Sequence, residues 1–356
     1  MSDLYVSTRK GLFHVERTAG RWKPTRVDFL GSPVSLMLDN PHDGCIYAAL
    51  ELGHFGAKLH RSEDQGKSWT EVGVPAYPAA AEGEEAPKLV KFWSLEGGSN
   101  GILWAGTIPG GLFRSTDRGA TWQLEENLWN MPERAKWFGG GADAPGIHSI
   151  CIHPSDPKNV LIGVSCGGAW LTPDGGKSWE IRAQGMYAEY MPPEGRFEQN
   201  VQDPHRIVQC KSSPDSLWCQ HHNGIFRSTN AGREWTSIED VSPSKFGFGV
   251  AVHPNDPETA WFVPATKDEL RIPVNGAVVV NRTRDGGKSF ETLREGLPQE
   301  DAYDLIYRHA FAIDATGTRL AFGSTTGGLW VTENGGDAWS LVSAHLPPIY
   351  AVRFSN

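Results

Sequence analysis

The chain lacks the features that would place it in a membrane or on nucleic acid. No apolar run approaches 18 residues, so no membrane-spanning helix is predicted. Positive charge is sparse and scattered: 33 basic residues stand against 42 acidic ones, for a formal charge of -9, and no lysine or arginine run is long enough to track a phosphate backbone. Nucleic acid and membrane are therefore excluded as expected partners. Cysteine is scarce too. Cys45, Cys151, Cys166, Cys210 and Cys219 are an odd set, mostly inside apolar strand-like runs, with Cys210–Cys219 the one bridge to consider. Reduced thiols, together with an opening "MSDLYVSTRKGLF" that has no basic, apolar or cleavage-site region, predict a cytoplasmic location. Local metal-binding spacings such as HExxH are also missing.

What is present is a repeat. The octets "SEDQGKSW" from Ser62, "STDRGATW" from Ser115, "TPDGGKSW" from Thr172, "STNAGREW" from Ser228, "TRDGGKSF" from Thr283 and "TENGGDAW" from Thr332 share one pattern. Their third positions are 53, 57, 56, 55 and 49 residues apart. Asp or Asn there can accept bonds from N–H groups of its own turn, and the glycine two places on supplies a positive φ. The aromatic eighth position starts the next strand and can bury about 150–250 Å². Upstream of most octets lie a short apolar strand, a glycine turn and a second strand, as in "LWCQHHNGIFRST", and before these an apolar run such as "FGFGVAVHPNDP". Four antiparallel strands per unit, repeated radially, predict an all-β fold, a β-propeller.

The six octets imply seven blades. "STRKGLFHV" belongs to a unit whose octet has decayed to "RTAGRW" and whose first strand is missing, whereas "PPIYAVRFSN" is a first strand with nothing after it. The expected organisation is one propeller over residues 1–356, the first blade at 3–27 being completed by 349–356. Strands from both ends in one blade leave no exposed edge there.

The octets resemble the Asp-box, or BNR, repeats of sialidases, xyloglucanases, sortilin-type receptors and the photosystem II assembly factor, and the resemblance covers the whole chain. It implies a propeller, and a function among glycosidases, receptors and assembly factors, since one fold hosts many activities. Arg271-Ile272-Pro273 is similar to the "RIP" of sialidases, where that arginine grips the substrate carboxylate. Here the triplet follows four octets in a seven-bladed ring; in sialidases it precedes the first box and the ring has six blades.

The unrepeated residues point to one mouth of the ring. The loop before Gly224 carries His222, and the connections into the innermost strands carry His148, His205 with Arg206, Tyr307-Arg308-His309 and Tyr350. Because neighbouring strand residues face opposite ways, one of His221 and His222 should point inward. Insertions at 125–146, 183–204 and 265–276 are far longer than ordinary connections and rich in Trp, Tyr, Met and charge, so they are expected to lid the same mouth. His54, His148, His205, His222 and His309 are candidate ligands for one transition-metal ion (zinc, iron, manganese or copper). His42, His153 and His253 sit in turns after innermost strands and read as structural.

The sequence thus predicts a hydrolase or lyase acting on a small polar or carbohydrate-like molecule. His205, His222 and His309 are its candidate acid–base groups or ligands, Asp268 its orienting group or base, and Arg271 and Arg308 its anion-binding groups. Glu189, Glu194 and Asp203 are possible carboxylate partners. The competing expectation is a non-catalytic propeller that grips a protein partner. Among the octet aromatics, Trp122 is expected to be a packing residue whose replacement by Ala removes about 3–5 kcal/mol of stability.

Overall fold

In the computed structural model, which describes residues 3–79, 83 and 85–356, each octet is a turn closed by its own side chains. In the first, Asp64 accepts the N–H of Ser68 at 2.9 Å and the Ser68 hydroxyl at 2.6 Å, while the Ser62 hydroxyl accepts the N–H of Gly66 at 2.7 Å. The same bonds recur with Asp117, Asp174 and Asp285, and their backbone part with Asn230 and Asn334. Every octet glycine that follows, from Gly66 to Gly336, has the positive φ that the turn requires.

These turns join the third and fourth strands in six of the seven four-stranded antiparallel sheets. Blade 1 is Ile349–Phe354, Leu4–Thr8, Gly11–Thr18 and Arg21–Asp28 in spatial order, so the two ends of the chain share a sheet. The innermost strands of blades 2 to 7 are Val34–Asn40, Lys91–Gly97, Gly146–Ile152, Pro204–Gln209, Gly247–Val252 and Phe311–Ile313. Each touches the next around the ring, and Ile349–Phe354 touches both Phe311–Ile313 and Val34–Asn40, which closes it.

Blades adhere through apolar faces and through the octet tryptophans. Trp235 Nε1 donates to the carbonyl of Arg182 at 2.7 Å and Trp122 Nε1 to that of Gly73 at 3.0 Å, each reaching the residue after the outermost strand of the preceding blade. Trp235 is buried, whereas Trp122 is only partly so. All five cysteines are buried and free, so Cys210 and Cys219 form no bridge. No helix among the described residues is long and apolar enough to cross a membrane.

One irregularity recurs where it matters. In six innermost strands the pairing with the second strand skips one residue near the start: Ser35, Trp93, His148, His205, Phe248 and Tyr350 are left unpaired. Such a bulge re-aims a side chain that regular alternation would send elsewhere.

Replacing Trp235 by Ala should lower stability by about 3–5 kcal/mol, as for other buried aromatics. The Trp122→Ala loss should be smaller because part of that ring already meets water. Urea unfolding of the two variants compares them directly, and equal losses would contradict the packing described.

Candidate functional site

The site forms where blades 4 to 7 present their bulges and turns. Pro204 opens the innermost strand of blade 5, a position where a proline's missing N–H is tolerated, and it biases the preceding Asp203 to extended backbone. Asp203 carries the main acceptor of the site. Its Oδ1 accepts the Ser165 hydroxyl at 3.1 Å and the N–H of Cys166 at 3.2 Å. Its Oδ2 lies 3.5 Å from His205 Nε2 and 3.5 Å from His222 Nδ1. Burial pushes this carboxyl's pKa up, but the partners His205 and His222 and the positive charge of Arg308 outweigh it and hold the group well below the usual carboxylate range.

His205 and His222 reach this carboxylate by different routes. His205 is the bulged residue of its strand; its ring stacks on Phe248 with centroids 4.4 Å apart, and its Nδ1 donates to the carbonyl of Gly247 at 2.7 Å. His222 follows the strand Leu217–His221, just before the Asn223-Gly224 turn, where Gly224 adopts φ +139°. Its N–H donates to the carbonyl of Asp203 at 3.0 Å, and its side chain is 22% exposed. His221 points the other way, fully buried against Phe226, with ring nitrogens 3.1 Å from the N–H groups of Asp203 and Asn223. Burial lowers its pKa to about 3 and keeps it neutral. The histidine pair is thus one buried brace and one cleft residue.

These groups open on a cleft of about 160 Å³ to which all three insertions contribute: Phe138 and Gly139–Gly141 from the first, Tyr190 and Asp203 from the second, Asp268 and Arg271 from the third. Tyr190 anchors its hydroxyl on the carbonyl of Val201 at 2.7 Å and sets its ring edge against His222. Asp268 and Arg271 pair with each other on the rim. Arg308 is different. Only 8% exposed, it lies 4.9 Å from the ring centre of Trp93 and 5.1 Å from that of Phe248, and its side chain has no hydrogen-bond or ion-pair partner among the described residues. Burial pulls even this guanidinium down to about 10.

The structure does not bring the five candidate histidine ligands together. His54 is exposed in the Gly53–Phe55 turn with its ring against Phe55, because that short helical turn lifts it away from the axis. His148 occupies a bulge like His205, but its ring sits edge-on to Trp93 beneath the cleft, fully buried, with Nε2 unpartnered. His309 faces away because Arg308 and His309 are the two central residues of a turn that the N–H of Ala310 closes on the carbonyl of Tyr307 at 3.0 Å: the arginine takes the cleft and the histidine turns toward Arg206, in a second hollow of about 560 Å³ that is also lined by Arg353, His42 and His153. His309 therefore stands apart from His205 and His222, and the residue that lies beside those two is Asp203. These last three form one of two groups among the described residues able to hold a metal ion, the other being Asp3, His14 and Glu16 on blade 1. Glu189 pairs with Arg196, and Glu194 is exposed outside the cleft. His153 and His253 accept N–H bonds of their own turns.

Sequence reasoning passed over Phe138, Tyr190, Cys166, Phe248 and Trp93 as parts of the site and gave Asp203 only a supporting role. For Trp93 and Phe248 a signal existed: both occupy the same bulge position as His148 and His205 when the innermost strands are aligned. Cys166 had a weaker one, its place in the loop equivalent to that of His222.

Two substitutions test this geometry through stability alone. His221→Ala should cost about 2–4 kcal/mol, because it opens a cavity and strips the acceptor from a buried N–H group, whereas His222→Ala should leave the melting temperature nearly unchanged. Arg308→Met should leave the melting temperature unchanged or raise it, since a buried charge without a partner is replaced by an apolar chain of similar length. A drop of several degrees for Arg308→Met would mean that the guanidinium is paired after all. Thermal unfolding followed by circular dichroism reads all three.

No family model matches the chain. It is similar to the "Probable oligoxyloglucan-reducing end-specific xyloglucanase" of Neosartorya fischeri, at 25% identity over 97% of this chain and 44% of that protein. The chain thus spans less than half of the length of this curated relative. Among solved structures, the xyloglucanase from Xanthomonas campestris superposes on 99% of this chain and 52% of its own at a TM-score of 0.65 and 18% identity. YCF48 bound to D1 peptide covers 87% of this chain and 82% of its own at a TM-score of 0.53 and 14% identity. These likenesses to solved structures are likenesses of fold.

Proposed function

We propose that the chain is a hydrolase acting on a small, carbohydrate-like molecule that carries an acidic group. The observation that supports this most is Arg308, a buried guanidinium facing the cleft without a partner, beside the Asp203, His205 and His222 cluster. A desolvated guanidinium presents a planar fork suited to a carboxylate, and binding an anion there would supply the contacting counter-charge that the free protein lacks. Arg271 at the rim adds positive charge at the entrance. Phe138 and Tyr190, both exposed at the cleft, offer apolar faces against which a sugar ring can lie.

The size of the cleft limits the substrate. About 160 Å³ holds roughly five waters at ~30 Å³ each, and lies below the ~300–1,000 Å³ of pockets for drug-sized ligands. One sugar-sized unit fits this volume better than a polymer chain does. The xyloglucanase named among the relatives supports carbohydrate chemistry in general, and the small volume of the cleft favours a shorter substrate. Within the cleft, Asp203, His205 and His222 are the groups that can activate water, with Arg308 and Arg271 holding the substrate in place.

The test is a panel of nitrophenyl glycosides and sugar lactones, each offered in neutral and uronic-acid or aldonic-acid form. The acidic forms should be turned over with kcat/KM at least tenfold higher, and Arg308→Met should erase that preference. Equal turnover of neutral and acidic forms would remove the acidic group from the reading. No turnover anywhere, with a peptide instead protecting the cleft from solvent exchange, would favour a protein-gripping propeller, the reading to which YCF48 bound to D1 peptide lends its fold.

A further inference from the structure

We infer that Asp203, His205 and His222 form a binding site for one divalent transition-metal ion; this rests on the proposed hydrolase reading for the use of the ion, and on geometry alone for its binding. Their three donor atoms lie within 4.8 Å of one another. The Asp203 Oδ2 separations of 3.5 Å to His205 Nε2 and 3.5 Å to His222 Nδ1 are long for carboxylate–imidazolium hydrogen bonds, which span ~2.7–2.9 Å. They suit atoms sharing an ion. Ligands bonded at ~2.0–2.2 Å around a tetrahedral centre stand roughly 3.3–3.6 Å apart.

Orientation makes the same point. The carbonyl of Gly247 can only accept, so His205 Nδ1, 2.7 Å away, carries the proton, and in the neutral ring Nε2 turns a lone pair toward Asp203. Asp203 has already engaged Oδ1 with Ser165 and Cys166, which leaves Oδ2 free to face that lone pair. Two electron-rich atoms facing each other in a buried place call for a cation between them. An imidazole fixed by a backbone carbonyl and a carboxylate fixed through its other oxygen are how ligating groups are commonly oriented. His221 adds to this hold, with Nε2 3.1 Å from the N–H of Asp203.

Three protein ligands leave part of the coordination sphere to solvent or substrate, and all three line the cleft. Two imidazoles and one carboxylate suit zinc or iron(II). The alternative group, Asp3, His14 and Glu16, is partly exposed, and no backbone carbonyl accepts from its imidazole among the described residues. It is the natural control.

Full-length protein stripped with a chelator and then freed of it is titrated with Co²⁺ alone, followed by visible absorption and calorimetry. One Co²⁺ per chain should bind, with visible bands that Zn²⁺ abolishes. Both His222→Ala, at a partly exposed position, and the near-isosteric Asp203→Asn should weaken binding at least tenfold while circular dichroism stays unchanged. His14→Ala and His54→Ala should bind as the parent does. A folded parent that takes up no Co²⁺, or binding that survives His222→Ala and is lost in His14→Ala, overturns the site. Stoichiometric binding by a protein that turns over no sugar supports the site and sinks the hydrolase reading. Undiminished turnover by the stripped protein supports the hydrolase reading and overturns the ion's part in it.

Discussion

A propeller's innermost strands line its axis with backbone, and regular alternation sends their side chains into the two neighbouring blades. A bulge breaks that alternation. In blades 3, 5 and 6 the skipped residues are Trp93, His205 and Phe248, and these surround Arg308 or Asp203. The extra residue costs one ladder position in each strand, and in return places a side chain at the centre of the ring. The site depends on this device repeated around the axis, with the insertions serving as its cover.

How much of this could be read from the chain follows from the range of the forces involved. The octets were legible because each is a local object: hydroxyl, carboxylate and glycine lie within five residues, and the turn closes on itself. Their spacing gave the blade count, and the orphan strands at the two ends gave the closure. Site residues were legible only where a local rule applied. Alternation predicted that one of His221 and His222 would face inward, but no such rule covers Arg308 and His309, which share a turn and not a strand. Asp203 has no local signature. Its importance comes from Ser165 and Cys166, 38 and 37 residues away, and from a histidine in the turn after the next strand of its own blade.

The treatment of charge separates scaffold from site. Elsewhere the well-buried arginines are paired: Arg282 with Glu291 and Asp337, Arg182 with Glu180. Those bridges join outer strands and octet turns, where the carboxylate partner is itself largely exposed and its desolvation is small. At the axis the pattern reverses. Arg308 has aromatic rings and no anion within ion-pair distance, and Arg206 touches His309 and no carboxylate. Burial lowers the pKa of both guanidinia to about 10, outweighing the nearby carboxylates Asp203 and Glu96, which neither guanidinium contacts.

Such an arrangement is hard to explain as a device for stability. A methionine or leucine at position 308 would pack between Trp93 and Phe248 with no desolvation penalty, and the cation–π contacts, worth roughly 0.5–2 kcal/mol, offset only part of what burial of the charge removes. A non-catalytic gripping face also has little use for it, because a residue 8% exposed at the bottom of a small cleft cannot meet a broad partner surface. A small anion entering the cleft can reach it. Once there it lies beside Asp203, a carboxylate that repels it unless something positive stands between the two. The ion inferred at Asp203, His205 and His222 would do that, so a metal centre and an acidic substrate are mutually consistent readings of one electrostatic problem.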